Sequence, residues 1–173
     1  MIYKSTLIAV ADIEKSKTWY HDVLGLNVVY DFGANVLLTG GLSLQKKTTW
    51  QKFIGRKEIV WGNNAFELFF EEDDIDTFVE RLRRYREIEY VHLLIEHRWG
   101  QRVIRFYDPD RYIIEVGEPM AAVVQRFVDR GMSEEETASK MDVPLGYVKQ
   151  MMQEYSSLVS SHQGTRCDIN GHK

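Results

Sequence analysis

A chemical reading of this chain begins at Glu115, which lies inside an apolar and aromatic run, Tyr-Ile-Ile-Glu-Val, over residues 112–116. A carboxylate in such a run is costly unless it meets a partner or faces a wet cavity. The run closes a strand–turn–strand unit in which residues 101–107 form the first strand and Asp108-Pro109-Asp110 the turn. Side chains alternate across a strand. Tyr112, Ile114 and Val116 are therefore expected to pack on helices, and Ile113, Glu115 and Gly117 to face a cavity. In the strand at 65–71 the same parity puts Phe66, Leu68 and Phe70 against helices and Glu67 and Phe69 in the cavity. Two further strands add Tyr90 and His92, with Val91, Leu93 and Ile95 as core, and Val103, Arg105 and Tyr107, with Ile104 and Phe106 as core.

Two carboxylates on neighbouring strands repel, and desolvation adds to the cost. A bound cation, a cationic side chain such as Arg105, or a shared proton would each relieve it. His92 is a candidate general base, because histidine as a residue type can exchange protons near neutral pH; a lone histidine on a strand is more often just hydrogen-bonded to a neighbour. His97, Arg98 and Trp99 fall in a hairpin loop and read as surface. No phosphate-binding loop and no serine or cysteine hydrolase motif is present.

The elements that must position these residues follow from local pattern. Residues 5–10 alternate as a strand, Asp12 is a helix N-cap, and Ile13, Trp19, Tyr20, Val23 and Leu24 make an apolar stripe that stops at Gly25. Strands at 26–30, 35–39 and 42–46 follow. Residues 48–64 read as a connector. The pattern then repeats: a strand at 65–71, a helix capped by Asp74 with Ile75, Phe78, Val79 and Leu82 on one face, and strands at 90–95, 101–107 and 112–116. The two Asp-Ile helix starts lie 62 residues apart, which indicates duplication of one βαβββ unit. Neither unit closes a core alone, so the two sheets should face each other around a shared cavity. Residues 120–130, 133–141 and 144–155 are then helical, with Ser133 and Glu136 as a capping box, and a polar tail runs from 156 to 173.

Composition narrows the function classes. Hydrophobic residues make up 44%, charged residues 28%, and the net charge is −4, so no global basic field draws nucleic acid or acidic lipid. The first four residues lead straight into a strand rather than a signal peptide. Cys167 is the only cysteine, which leaves no intrachain disulfide and no thiolate zinc site and fits a reducing cytosol. Between 119 and 160 four basic residues face six acids, and the helix after Pro144 offers only Lys149 to phosphates. The helix-turn-helix outline of residues 133–152 therefore reads as a packed appendage or dimer contact rather than a DNA reader.

The stretches ADIEKSKTWYHDVLGL, GGLSL, EDDIDTFVERL and above all FYDPDRYIIEV resemble the glyoxalase/bleomycin-resistance/extradiol-dioxygenase group, the vicinal-oxygen-chelate superfamily, over roughly residues 1–118. The resemblance implies an α+β fold: two βαβββ modules (about 1–47 and 65–118) forming a cupped, barrel-like sheet, here followed by a three-helix extension over 119–155. In metal-dependent members four inner positions hold a divalent ion, usually histidine on the first strand of each module and glutamate on the last. Here they correspond to Ser5, Glu67, Gln45 and Glu115, with no histidine among them. Arg111 replaces the usual turn glycine, which implies strain if that position needs positive φ.

The expectations are these. Glu115, Glu67 and His92 are the catalytic candidates. Arg105, Tyr90, Phe69, Tyr107 and Gln45 are the ligand-binding candidates. Glu67, Glu115 and Gln45 are the candidate ligands of a metal, whose site would otherwise be metal-free or hold a divalent cation weakly. The function implied is a glyoxalase-like lyase or isomerase acting on a small molecule. The alternatives are a non-catalytic sequestering protein of bleomycin-resistance type and a ligand-responsive regulator acting through the helical extension. A small-molecule ligand, no nucleic acid, no membrane and a cytoplasmic location are expected, with a homodimer left open.

Overall fold

The computed structural model describes residues 1–164, with side chains described through residue 157. Cys167 and the end of the expected tail lie outside the described residues. The first module runs β1 (Thr6–Val10), α1 (Ile13–Leu24), β2 (Val28–Asp31), β3 (Asn35–Leu38), a 3-10 turn and β4 (Leu42–Lys46). Its sheet has the order β1-β4-β3-β2, with β1 parallel to β4 and β3 antiparallel to both its neighbours. After α2 (Lys47–Phe53), the second module runs β5 (Glu67–Glu71), α3 (Ile75–Leu82), β6 (Tyr90–Glu96), β7 (Arg102–Tyr107) and β8 (Ile113–Gly117). Its order, β5-β8-β7-β6, repeats that of the first. The duplicated βαβββ architecture is thus present. The extension is α4 (Met120–Asp129), α5 (Glu134–Met141) and α6 (Leu145–Gly164).

Both expected N-caps form. Asp12 accepts from the backbone N–H groups of Glu14 and Lys15 at 3.0 and 3.1 Å, and Asp74 from that of Thr77 at 3.0 Å. α1 stops at Gly25, where φ is 71°. Three expectations need correction. The connector contains α2, which has no side-chain cap and two β-branched threonines, so nothing local announces it. α6 runs past residue 155 to Gly164. Val91, Leu93 and Ile95, expected in the core, are 41%, 66% and 41% exposed. They lie on β6, the edge strand of its sheet, which has a neighbouring strand on one side only.

The residues group into two compact units, each described by itself. The first comprises Met1–Leu68, Tyr85–Val91 and Phe106–Ile114; the second comprises Phe69–Arg84, His92–Arg105 and the described residues from Glu115 on. The first unit is centred on Val10, Tyr20, Val23, Val36, Leu38, Leu44, Phe106 and Ile114, all buried. Its lock is the Asp-Pro-Asp turn. Asp108 accepts from the backbone N–H groups of Asp110 (2.9 Å) and Tyr112 (2.8 Å) and from the Tyr20 hydroxyl (2.7 Å). Asp110 accepts from Ala11 N–H at 3.0 Å, and Tyr112 donates to the Ala9 carbonyl at 3.0 Å. Burial pushes the Asp108 carboxyl up to about 6, against hydrogen bonds that lower it.

In the second unit the extension is joined firmly to the strands. The buried Glu118 receives Arg102 Nε at 2.9 Å and Arg126 Nη1 at 2.6 Å. Burial pushes the Glu118 carboxyl up, but the bonds from Arg126 and Arg102 bring it below the usual range. Arg126 also donates to the Gly100 carbonyl at 2.5 Å. Gly100 sits at φ 89°, and a Cβ there would lie 2.3 Å from Phe127 Cζ, so only glycine fits between the β6–β7 loop and α4. The helices close their own core with Val123, Val124, Phe127, Met141, Val148 and Met151. The capping box of Ser133 and Glu136 forms.

Candidate functional site

The second unit carries a chain of three polar side chains on three adjacent strands. β8 supplies Glu115, only 6% exposed, β7 supplies Arg105, and β6 supplies His92. Arg105 Nη2 pairs with Glu115 Oε2. Arg105 Nη1 donates to His92 Nε2 at 3.2 Å, and His92 Nδ1 donates to the Leu93 carbonyl at 2.8 Å. These partners select the tautomer with the proton on Nδ1 and fix the guanidinium between two acceptors. His97 stacks on Trp99 with ring centroids 4.2 Å apart. Burial, and then electrostatic interaction with Arg105 and His92, hold its imidazole below the usual range.

Phe69, 47% exposed, flanks this chain from β5. A Cβ on Gly117 would lie 3.2 Å from Phe69 Cε2 and 3.0 Å from Val103 Cγ1, so the glycine lets the ring lie down on the strands. Gln101 holds the hairpin end, donating to the Glu118 carbonyl at 2.9 Å and accepting from Trp99 Nε1 at 3.2 Å.

The remaining expected residues belong to the first unit. Glu67 is exposed at the first position of β5, and Tyr90 is half-buried at the start of β6. Tyr107 donates to Asn64 Oδ1 at 3.0 Å, and the Arg111 guanidinium lies 4.4 Å from its ring centre. Gln45 is 3% exposed; its Oε1 accepts from Asn35 at 3.1 Å and its Nε2 donates to the Ala34 carbonyl at 2.5 Å. The structure brings Glu115, Arg105, His92 and Phe69 together in one unit. Sequence reasoning missed Glu118, Arg102 and Arg126, whose partners are distant in sequence, and the Arg111–Glu89 ion pair.

The donor set does not fit the divalent ion of metal-dependent relatives. Glu115 already faces a guanidinium, which would repel a second cation, and both amide atoms of Gln45 are held by the fold. Ser5 is exposed ahead of β1. Among the described residues no three His, Cys, Asp or Glu side chains converge as a metal site would require.

Residues 3–121 match the family model described as Glyoxalase-like domain. The match ends at the second residue of α4, so the helical extension lies beyond it. A crystal structure of a protein of unknown function from Agrobacterium tumefaciens is 36% identical, covers 69% of this chain and 94% of its own, and superposes with a TM-score of 0.63. Two others show the same fold. A glyoxalase/bleomycin resistance protein/dioxygenase from Nocardioides is 21% identical, with 68% and 83% coverage and a TM-score of 0.57. A lactoylglutathione lyase from Agrobacterium tumefaciens is 23% identical, with 69% and 94% coverage and a TM-score of 0.54. None of the curated proteins matches the sequence.

Proposed function

The chain belongs to the glyoxalase-like domain family, and from that premise we propose that its second module binds a small molecule without a tightly held metal, in a binding and sequestering role. The observation that carries this reading is the Glu115–Arg105–His92 chain, in which a guanidinium supplies the positive charge that a metal ion would supply in metal-dependent relatives. A cation fixed by two acceptors is preorganised for a hydrogen-bonding head group. The half-exposed Phe69 ring beside it offers an apolar face. The ligand class is therefore a small molecule with an apolar or aromatic body and a polar head. Any divalent cation is held weakly and through oxygen.

Lyase or isomerase chemistry is the less favoured reading. It needs a proton acceptor, and here the His92 Nε2 lone pair is engaged by Arg105 while Glu115 is neutralised by the same group. A regulatory role has one observation in its favour. The loop joining β6 to β7, the strands that carry His92 and Arg105, is clamped to α4 through Gly100, Phe127 and Arg126. Ligand occupancy would then be felt by the extension, whose partner would be a protein surface or a second copy, since its acidic balance disfavours nucleic acid. No helix among the described residues is long and apolar enough to cross a membrane; we place the protein in the cytoplasm.

The test is a thermal-shift screen of small aromatic and aliphatic acids, amides and amines against the wild-type chain and Arg105→Met. Ligands that stabilise the wild type and lose their effect in the variant support the reading. If every stabilising compound acts equally on both proteins, Arg105 is not part of the site.

A further inference from the structure

The first unit holds a second feature, which shares no residue with the Glu115–Arg105–His92 chain. A cavity of about 270 Å³ is lined by Lys15 and Trp19 from α1, Glu87 and Ile88 from the loop before β6, Tyr107 at the end of β7, and Arg111 in the turn. Its volume approaches the lower end of the range for small-molecule pockets, roughly 300 Å³. Two of its walls are aromatic and one is aliphatic.

Arg111 is held with unusual care for a surface arginine. Its backbone has φ 67°, a conformation that costs a non-glycine residue energy. Its guanidinium lies 4.4 Å from the centre of the Tyr107 ring and is gripped at both ends by Glu89, at 2.5 and 3.1 Å. On another side lies Gly62, where an added Cβ would come within 3.2 Å of Arg111 Nε and 3.5 Å of its Cβ, a tight approach. Glycine at position 111 would carry no strain. An arginine kept there against its backbone preference, and held by Glu89 and the Tyr107 ring, is a backbone outlier of the kind that marks a recognition residue.

The charges around the cavity decide the ligand class. Glu89 balances Arg111, which leaves the Lys15 ammonium, with the Asp110 carboxylate acting on it, and the Glu87 carboxylate in the lining. The Asp108 oxygens at the base are already taken by Tyr20 and two backbone N–H groups. A strongly anionic ligand such as a phosphate would meet as much negative as positive charge. A ligand carrying both signs would meet a partner for each, with Trp19, Ile88 and Tyr107 for an apolar side group.

We propose that this cavity binds a small zwitterion with an apolar side group, an α-amino acid in its simplest form, whose carboxylate is read by Lys15 and the half-exposed Arg111 guanidinium and whose ammonium is read by Glu87. The site is independent of the Arg105–Glu115 chain, so either reading can fail without the other.

The experiment uses the full chain, uniformly ¹⁵N-labelled, titrated with L-phenylalanine, L-leucine and L-methionine. Each is compared with its N-acetyl derivative and with the corresponding amine lacking the carboxylate. The expected result is saturable shift changes around Lys15, Glu87, Tyr107 and Arg111 for at least one amino acid, weakened about tenfold or more by removal of either charge. The decisive variant is Arg111→Gly, which relieves the positive φ. It should melt at the same or a higher temperature and bind the amino acid about tenfold more weakly. No saturable change with any of the three amino acids, equal binding of the singly charged analogues, or undiminished binding in Arg111→Gly would each overturn the proposal.

Discussion

Arg105→Met is the perturbation that most clearly separates a charge-balanced site from incidental packing. It leaves the Glu115 carboxylate 6% exposed and without its cation. Removing one partner of a buried pair costs about 3–5 kcal/mol. The lower figure, about 3 kcal/mol, applies because the Arg105 side chain retains 23% exposure and its surroundings are not fully dry. Glu115→Gln should cost less, about 1–2 kcal/mol, because the stranded guanidinium keeps some hydration and its bond to His92. The double variant carries neither charge and should lose only about 1–2 kcal/mol. The three values give a coupling of roughly 2–4 kcal/mol, well above the ~0.5 kcal/mol seen for independent sites. Urea unfolding of the four proteins at one pH and salt concentration measures it. Additive losses would mean that the two side chains do not act as a pair, and the argument for a cation-filled site would fall with them.

Two further outcomes follow from the geometry. Gly100→Ala should destabilise the chain by about 2–4 kcal/mol, since it adds both backbone strain at φ 89° and a clash with the buried Phe127 ring; a melting temperature unchanged from wild type would show that the loop and α4 are not tightly joined. Asp108 has a folded pKa of about 6 against an ordinary value of 3.8, so the folded state binds its proton more tightly than the unfolded state does. Its contribution to stability is fully present below about pH 4, is lost as the pH rises to 6, and is flat above, for a total of at most about 3 kcal/mol. Asp108→Asn should remove that descent, and unfolding curves for the two proteins that run parallel from pH 4 to 8 would refute it.

What was legible in the sequence was whatever short-range pattern controls. The caps at Asp12 and Asp74, the stop at Gly25, and the heptad-like stripe of α3 are written within a few residues of one another. Their repetition implied two modules of one βαβββ pattern. The Arg105–Glu115 pairing was legible for a related reason: the two residues lie on consecutive strands joined by a turn, and parity alone puts them together. Long-range contacts were not legible. Tyr20 reaches Asp108 across 88 residues, and no local pattern marks a tyrosine that will cap a distant turn. The Gly100–Phe127 contact was equally hidden, because the loop that holds Gly100 read as surface. Parity also failed on β6, where the alternating Val91, Leu93 and Ile95 remain exposed on an edge strand. Apolar alternation states which residues share a face, and it does not state what covers that face.

The claim that an arginine supplies the charge which a metal supplies in other members of the family is tested most directly by metal analysis. Protein purified without added metal, then dialysed against zinc, manganese and magnesium in turn, should hold far less than one equivalent of zinc or manganese per chain. Glu115→Gln should not change that content. One tightly bound transition metal per chain, lost in Glu115→Gln, would contradict the account.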